Sequence, residues 1–329
     1  MKTYVILGGN GVFGVHAAKF LLENANPRKV ICVGRNPEKT APFTLDVGKG
    51  DPRYAYHQIH VVFEQDRLFE MFDAEKPEVV VNFAALAYAT SWEHSYRYYE
   101  TNVVALAKMT EGLAKRNYLE RFLQIGTSEL YGSTPAPARE NQPLNPTSPY
   151  AVSKMAGDLH LETYWRVRKF PMNILRPSNA YAPGQLLYRV LPRAVLCGLT
   201  GKRLPLEGGG SARKSYMHAR DIGLAIHLIC EKAPLGETYN CGPDAAVSIR
   251  ELVALVAKRL GIPFDKLVEE VPGRVGEDAQ YWLDSAKIKR DIGWRETVSL
   301  EQGIDDMIAW GRKYLPQIVD EPTNFVLRA

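Results

Sequence analysis

Residues Thr3–Ala25 read TYVILGGNGVFGVHAAKFLLENA, and three glycines, Gly8, Gly11 and Gly14, recur in them at intervals of three. A five-residue apolar run of the kind that makes a buried strand precedes them, and apolar residues at helical spacing follow. Glycine at these positions allows a tight turn and lets the backbone approach a pyrophosphate, which the N-terminus of the next helix stabilises. Asn10, Val12 and Phe13 share the turn and join the glycines as candidate dinucleotide contacts. A glycine-rich turn without a ligand is the alternative, but both flanks are those a dinucleotide turn requires.

The grammar of the opening repeats. KVICVG (Lys29–Gly34), EVVVNF (Glu78–Phe83), RFLQIG (Arg121–Gly126) and MNILRP (Met172–Pro177) read as strands. ETNVVALAKMTEGLAKR (Glu100–Arg116) and SPYAVSKMAGDLHLETYWRVR (Ser148–Arg168) read as helices. Such alternation predicts βαβ units around a Rossmann-type, doubly wound parallel sheet. After Arg176 prolines and glycines thicken, and helices are expected at Arg220–Lys232 and Ile249–Leu260. The expected division is a nucleotide-binding domain over residues 1–175, rejoined by parts of 216–244, and a smaller α/β substrate domain over 176–329.

The 329 residues carry a formal charge of +4, 46% hydrophobic and 24% charged residues, an ordinary globular balance. Nothing forms the dense Lys/Arg stripe of a nucleic-acid binder, while small anionic ligands suit the charge. Cys32, Cys197, Cys230 and Cys241 are too scattered for a disulfide framework or a zinc site. His57 and His60 have no metal-ligand companions, so no metal is expected. The N-terminal run reaches glycine too early for a signal peptide, and no apolar run reaches membrane-spanning length, so a cytoplasmic protein is expected.

Dinucleotide turns that take NAD place an acid at the end of the second strand. Here Gly34 and Arg35 stand there, and a guanidinium pairs with a 2′-phosphate. The expected cofactor is NADP, with NAD as the alternative. Tyr150 and Lys154 lie four apart on one helical face, where an ammonium lowers a phenol's pKa from about 10 and makes it usable as a base. With 17 tyrosines that spacing is common by chance, so its context decides. The context is QIGTSELYGS (Gln124–Ser133), a strand end that delivers Thr127, Ser128 and Glu129. Ser or Thr before Glu also caps a helix well, but the turn-rich LYGSTPAP that follows does not read as one.

Together GGNGVFG, NFAA, ETNVVAL, GTSELYG, PYAVSK, RPSNAYAPGQ and RVGEDAQYWLDSAKI resemble the extended short-chain dehydrogenases/reductases that act on nucleotide sugars, over about residues 2–310. TSELYG and HARD (His218–Asp221) are similar to the GDP-mannose 4,6-dehydratase subgroup. The resemblance implies an NDP-hexose substrate, GDP-mannose among the candidates, converted to a 4-keto-6-deoxy product. Tyr150 would take the O4 proton, Thr127 would bond the O4 region, and Glu129, with Ser128, would take the C5 proton and supply the acid for water loss at C6. It implies cofactor contacts at Ala84 and Ala85, substrate diphosphate contacts at Asn179 and Arg274, a substrate contact at Lys214, and a homodimer or dimer of dimers. A 4-keto-sugar reductase, an epimerase or a decarboxylase of the same family are the rival reactions. A non-enzymatic sensor of the cofactor is a further rival, disfavoured because Tyr150, Lys154 and Glu129 are all present.

The chain departs from the family pattern in places. Lys214-Ser215-Tyr216 stands where Arg-Asp-aromatic is common, and NFAALAYATSW replaces the usual hexose-binding segment at Ala87–Ser91. The acidic-aliphatic pair near the adenine is not evident in HQIHVV. The aromatic run SWEHSYRYYE fits either a packed helix face or a pocket wall.

Overall fold

A computed structural model describes residues 1–87, 92–273 and 280–324. Six parallel strands, β1 (Thr3–Leu7), β2 (Lys29–Gly34), β3 (Tyr54–Gln58), β4 (Val79–Asn82), β5 (Arg121–Ile125) and β6 (Met172–Pro177), lie in the order β3-β2-β1-β4-β5-β6. All five β1 residues and all four of β4 are buried, because helices cover both faces of the sheet. The connections are α1 (Val12–Asn24), α2 (Ala41–Thr44), α3 (Gln65–Glu75), α4 (Ser95–Tyr99), α5 (Ala105–Leu113) and α6 (Pro149–Arg168). One apolar layer packs α3, α5 and α6 on the sheet through Phe72, Met109 and Leu161.

The single helix expected at Glu100–Arg116 is not continuous. A π-helical turn, Glu100–Val104, joins α4 to α5. Its cause is tertiary: the buried Asn102 side chain is drawn onto the Leu86 backbone and onto Ser153 of α6. Gly157 of α6 admits the approach, since a Cβ there would lie 2.9 Å from the Asn102 carbonyl oxygen. Such turns insert one extra residue into a helix.

Beyond Pro177 the chain builds β7 (Asn179–Tyr181), α7 (Val190–Thr200), β8 (Leu204–Glu207), β9 (Arg213–Lys214) and β10 (Tyr216–His218). It then returns to the sheet. Helix α8 (Ala219–Lys232) packs beside α1 in the second apolar layer, and β11 (Thr238–Cys241) pairs in parallel with β6 as a seventh strand. The C-terminal part comprises β12 (Val247–Ser248), α9 (Ile249–Leu260), α10 (Phe264–Leu267), β13 (Val268–Val271), β14 (Gln280–Tyr281), α11 (Ala286–Ile292) and α12 (Leu300–Ile318). With α7 and β8 it builds a separate core of Leu191, Leu206, Leu252, Val256, Ile304 and Met307, while α11 packs back on the layer of α1 and α8 through Ile288 and Ile292. Ser248 and Glu251 start α9 with a reciprocal capping box.

All four cysteines are buried and unbridged. Among the described residues no helix is long and apolar enough to cross a membrane.

Candidate active site

The C-terminal edges of the central strands carry the candidate residues, where an open parallel sheet binds its ligands. The glycine turn leaves β1 there. Gly8 adopts φ +80°, a conformation that favours glycine, and a Cβ on it would lie 2.9 Å from Ala84 N. Gly14 lets α1 close onto the turn, since a Cβ there would lie 2.6 Å from Gly8 O. Gly11 is exposed and, as the N-cap of α1, offers no side chain to bond the first amides of the helix. Asn10 is buried and staples the neighbouring loop: its Nδ2 donates to Pro37 O at 2.8 Å and its Oδ1 accepts from Lys39 N at 3.0 Å. Val12 and Phe13 form the half-buried first turn of α1.

Ala84 and Ala85 follow β4 and border this turn. Asn82 holds them in place, with its Oδ1 accepting from Ala84 N at 3.2 Å and its Nδ2 donating to Gln124 Oε1 at 2.8 Å. At the end of β2, Gly34 can carry no side chain, because the Tyr56 hydroxyl occupies the space a Cβ would need. Arg35 follows it directly.

Strand β5 ends in Gly126-Thr127-Ser128-Glu129. The structure corrects the expectation that no helix follows: Ser128–Tyr131 is a single 3₁₀ turn, and Thr127 caps it by accepting from Glu129 N–H at 3.2 Å. The cap and the catalytic reading coexist. The turn fixes Glu129, half-buried, at the edge of the sheet, while the Thr127 hydroxyl proton stays available to a ligand.

Helix α6 begins with the Ser148 side chain capping Ala151 N–H, so Tyr150 sits in its first turn, 9% exposed. Two bonds steady it from behind. Ser153 Oγ donates to Tyr150 O at 2.7 Å and accepts from Asn102 Nδ2 at 2.9 Å. One turn on, Lys154 is buried and donates from Nζ to Ile125 O at 2.6 Å, which ties α6 to the end of β5. Burial pushes its ammonium down to about 8, against the pull of Asp158.

Behind these groups lies a buried polar chain. Arg176 Nε donates to Asp158 Oδ2 at 3.0 Å, Arg176 Nη1 donates to the Tyr131 oxygen at 3.0 Å, and the Tyr131 hydroxyl donates to Asn240 Oδ1 at 2.9 Å. Gly126 lies against it, with space for a Cβ blocked by Arg176 at 2.8 Å. Asn102, Asp158 and Arg176 were not singled out by sequence reasoning, although ETN and RP lie inside the motifs that carry the resemblance.

Asn179 opens β7 and pairs with Tyr216, and Lys214 on β9 pairs with Val247 and Tyr281, so both lie on the small sheets beyond β6. Arg274 lies outside the described residues, as do residues 88–91 of the hexose segment. In SWEHSYRYYE, Tyr98 is buried against Tyr150 while Trp92 and Tyr96 are exposed. His60 accepts from Val62 N–H and stacks on Phe63, with ring centroids 4.5 Å apart.

The family described as GDP-mannose 4,6 dehydratase matches residues 5–307. A trifunctional UDP-glucose 4,6-dehydratase, epimerase and reductase of Arabidopsis thaliana is 25% identical over 94% of this chain; the chain spans about half, 47%, of that enzyme's length. The dTDP-glucose 4,6-dehydratase of Neisseria gonorrhoeae is 28% identical, with 94% of this chain and 95% of the relative covered. Among solved structures, dTDP-glucose 4,6-dehydratase of Bacillus anthracis in complex with NAD superposes with a TM-score of 0.87 at 26% identity, covering 96% of this chain and 98% of that one. With a match across nearly its whole length, the Rossmann-type sheet and the glycine, Thr-Ser-Glu and Tyr-Lys elements assembled on one edge, the chain belongs to the GDP-mannose 4,6 dehydratase family.

Proposed function

We propose that this protein is a nucleotide-sugar 4,6-dehydratase that uses a nicotinamide cofactor. The observation that carries the reading is Glu129, a carboxylate held by the Thr127 cap on a turn next to the helix of Tyr150 and Lys154. A simple ketoreductase has no use for a base there.

The glycine turn fits a dinucleotide: its close approach to Ala84 leaves no room for a side chain at Gly8, and the N-cap of α1 makes no side-chain cap bond that would compete with a pyrophosphate. Gly8–Gly14, Ala84 and Ala85 would hold it. A nicotinamide held there would supply reversible hydride storage, from the sugar's C4 to its C6, so that the net reaction is loss of one water. Tyr150 takes the O4 proton, supported by the Lys154 ammonium, and Thr127 donates its hydroxyl proton toward O4. The C4 ketone acidifies C5, and Glu129 removes that proton. In its acid form Glu129 protonates the departing C6 hydroxyl, directly or through Ser128, and a solvent proton later reaches C5. Asn179, Lys214 and Arg274 would meet the substrate's diphosphate side.

The finer assignments belong to the same proposal. Arg35 and Lys39 flank the loop held by Asn10, and two cations there suit a 2′-phosphate, which supports NADP; the B. anthracis relative is in complex with NAD. Comparative titration of both cofactors decides, with Arg35→Ala expected to weaken NADP more than NAD. The printed names of the relatives refer to UDP-glucose and dTDP-glucose, so the GDP-mannose preference read from TSELYG gains no support from them. Exposed Val104, Leu159 and Val167 on the α5–α6 side support a homodimer or dimer of dimers, measurable by sedimentation. The division at residue 175, with 216–244 returning to the first domain, is supported by the seventh strand.

The test is mass spectrometry of the protein incubated in heavy water with a panel of nucleotide sugars, dTDP-glucose, UDP-glucose and GDP-mannose included, without added reductant. A product lighter by one water with deuterium at C5 is expected. Turnover only of a 4-keto sugar with NADPH added would make the enzyme a reductase and sink the proposal.

A further inference from the structure

Tyr150 occupies the first turn of α6, the part of a helix that frays most readily. Its backbone is steadied by Ser153, and Asn102 in turn holds Ser153. Its ring has a separate support. Tyr98, the fourth residue of α4 and only 1% exposed, meets it with ring centroids 6.4 Å apart and planes 69° apart. This is edge-to-face geometry, in which the positive rim of one ring meets the negative face of the other. Tyr98 and Asn102 are four residues apart and separated by the start of the π-turn. One segment thus grips both the ring and the backbone of the same residue.

We propose that Tyr98 is the positioning residue for Tyr150: its buried ring fixes the rotation of the Tyr150 ring and so the place of the hydroxyl that receives the substrate's O4 proton. The inference rests on the role given to Tyr150 above. Tyr98 of α4 would otherwise be explained by packing alone. Packing predicts a loss of stability without a change in the chemical step; positioning predicts the reverse weighting, because a hydroxyl that wanders loses proton-transfer geometry while substrate binding survives. The ring-to-ring contact with Tyr150 survives in Tyr98→Phe and is lost with an aliphatic side chain.

The experiment compares Tyr98→Leu and Tyr98→Phe with the native enzyme in kcat, KM and the pH profile of kcat. In parallel, ultraviolet difference titration against Tyr150→Phe isolates the ionisation of the one tyrosine. Tyr98→Leu is expected to lower kcat by about 3- to 10-fold, equivalent to about 0.7–1.4 kcal/mol in the barrier. KM should stay within about twofold, and the Tyr150 ionisation midpoint should move. Tyr98→Phe is expected to stay within about twofold of native in kcat. If Tyr98→Leu does not fold, Tyr98→Met, whose unbranched side chain fills irregular gaps, takes its place. Unchanged kcat and an unchanged ionisation midpoint in the aliphatic variant would overturn the inference, and so would an equal loss in Tyr98→Phe. Failure of the underlying reading looks different: Tyr150→Phe would then remain active.

Discussion

Asn102 makes three hydrogen bonds that no neighbouring residue can replace: with Leu86 N–H at 3.0 Å, Leu86 O at 3.1 Å and Ser153 Oγ at 2.9 Å. Each is worth about 1 kcal/mol net, and the Leu86 groups they satisfy are partly buried, where an unmade bond costs about 1–3 kcal/mol. Asn102→Ala should therefore destabilise the protein by about 2–4 kcal/mol, a fall in Tm of roughly 3–6 °C for a chain of this size. The loss should reach the site, because the same amide holds the Ala84–Leu86 loop and, through Ser153, the first turn of α6. Urea denaturation of Asn102→Ala, Ser153→Ala and the double variant measures it. The Asn102–Ser153 pair should show a coupling of about 0.5–1.5 kcal/mol, as expected of residues in one hydrogen-bond network. A destabilisation below about 0.5 kcal/mol with full activity would refute the claim that this staple creates the π-turn.

Burial holds Lys154 at about 8, and in the proposed mechanism its charge supports Tyr150, so activity should fall as pH rises through about 8. Because its folded pKa lies below its unfolded value, the linked stability runs the other way and rises between about pH 8 and the ordinary lysine range; activity profiles and urea midpoints taken at the same pH values separate the two trends. Gly14→Ala places a Cβ 2.6 Å from Gly8 O and should distort the turn at a cost of about 1–3 kcal/mol, weakening cofactor binding by roughly 5- to 100-fold in fluorescence titration; unchanged affinity would show the turn is not the cofactor cradle. Arg176→Met leaves the fully buried Asp158 without its cation and should cost about 3–5 kcal/mol, most of it regained when Asp158 is also replaced by Asn; additive losses in urea melts would contradict this.

The parts of this protein that could be read from the sequence are those written in contiguous residues. The glycine turn between a buried strand and a helix, the Tyr150–Lys154 spacing on one helix and five of the alternating strands all depend on short-range pattern, and the structure has each of them; β3 (Tyr54–Gln58) is not among the strands read from the sequence. Asn102 could not be read, because its π-turn comes from Leu86 and Ser153, which are 16 and 51 residues away. The same holds for Arg176, whose partners Asp158 and Tyr131 meet it only when β6, α6 and the 3₁₀ turn are packed. Thr127 is the cap of the turn in the fold, and because its oxygen accepts that bond its hydroxyl proton is still free for the role proposed above, so the two readings are not exclusive.

The order in which strands leave and rejoin the main sheet also sets how its lobes can move. The chain passes outward after β6, comes back through α8 and β11, passes outward at β12, returns with α11, whose Ile288 and Ile292 join the core beneath α1 and α8, and leaves again with α12. A single crossing would let one lobe swivel freely about a single bond vector. Five crossings of the chain hold the two lobes together and remove that freedom. They also make the first lobe inseparable by simple cleavage: a fragment ending at β6 would lose its seventh strand and expose a long, apolar sheet edge that invites aggregation.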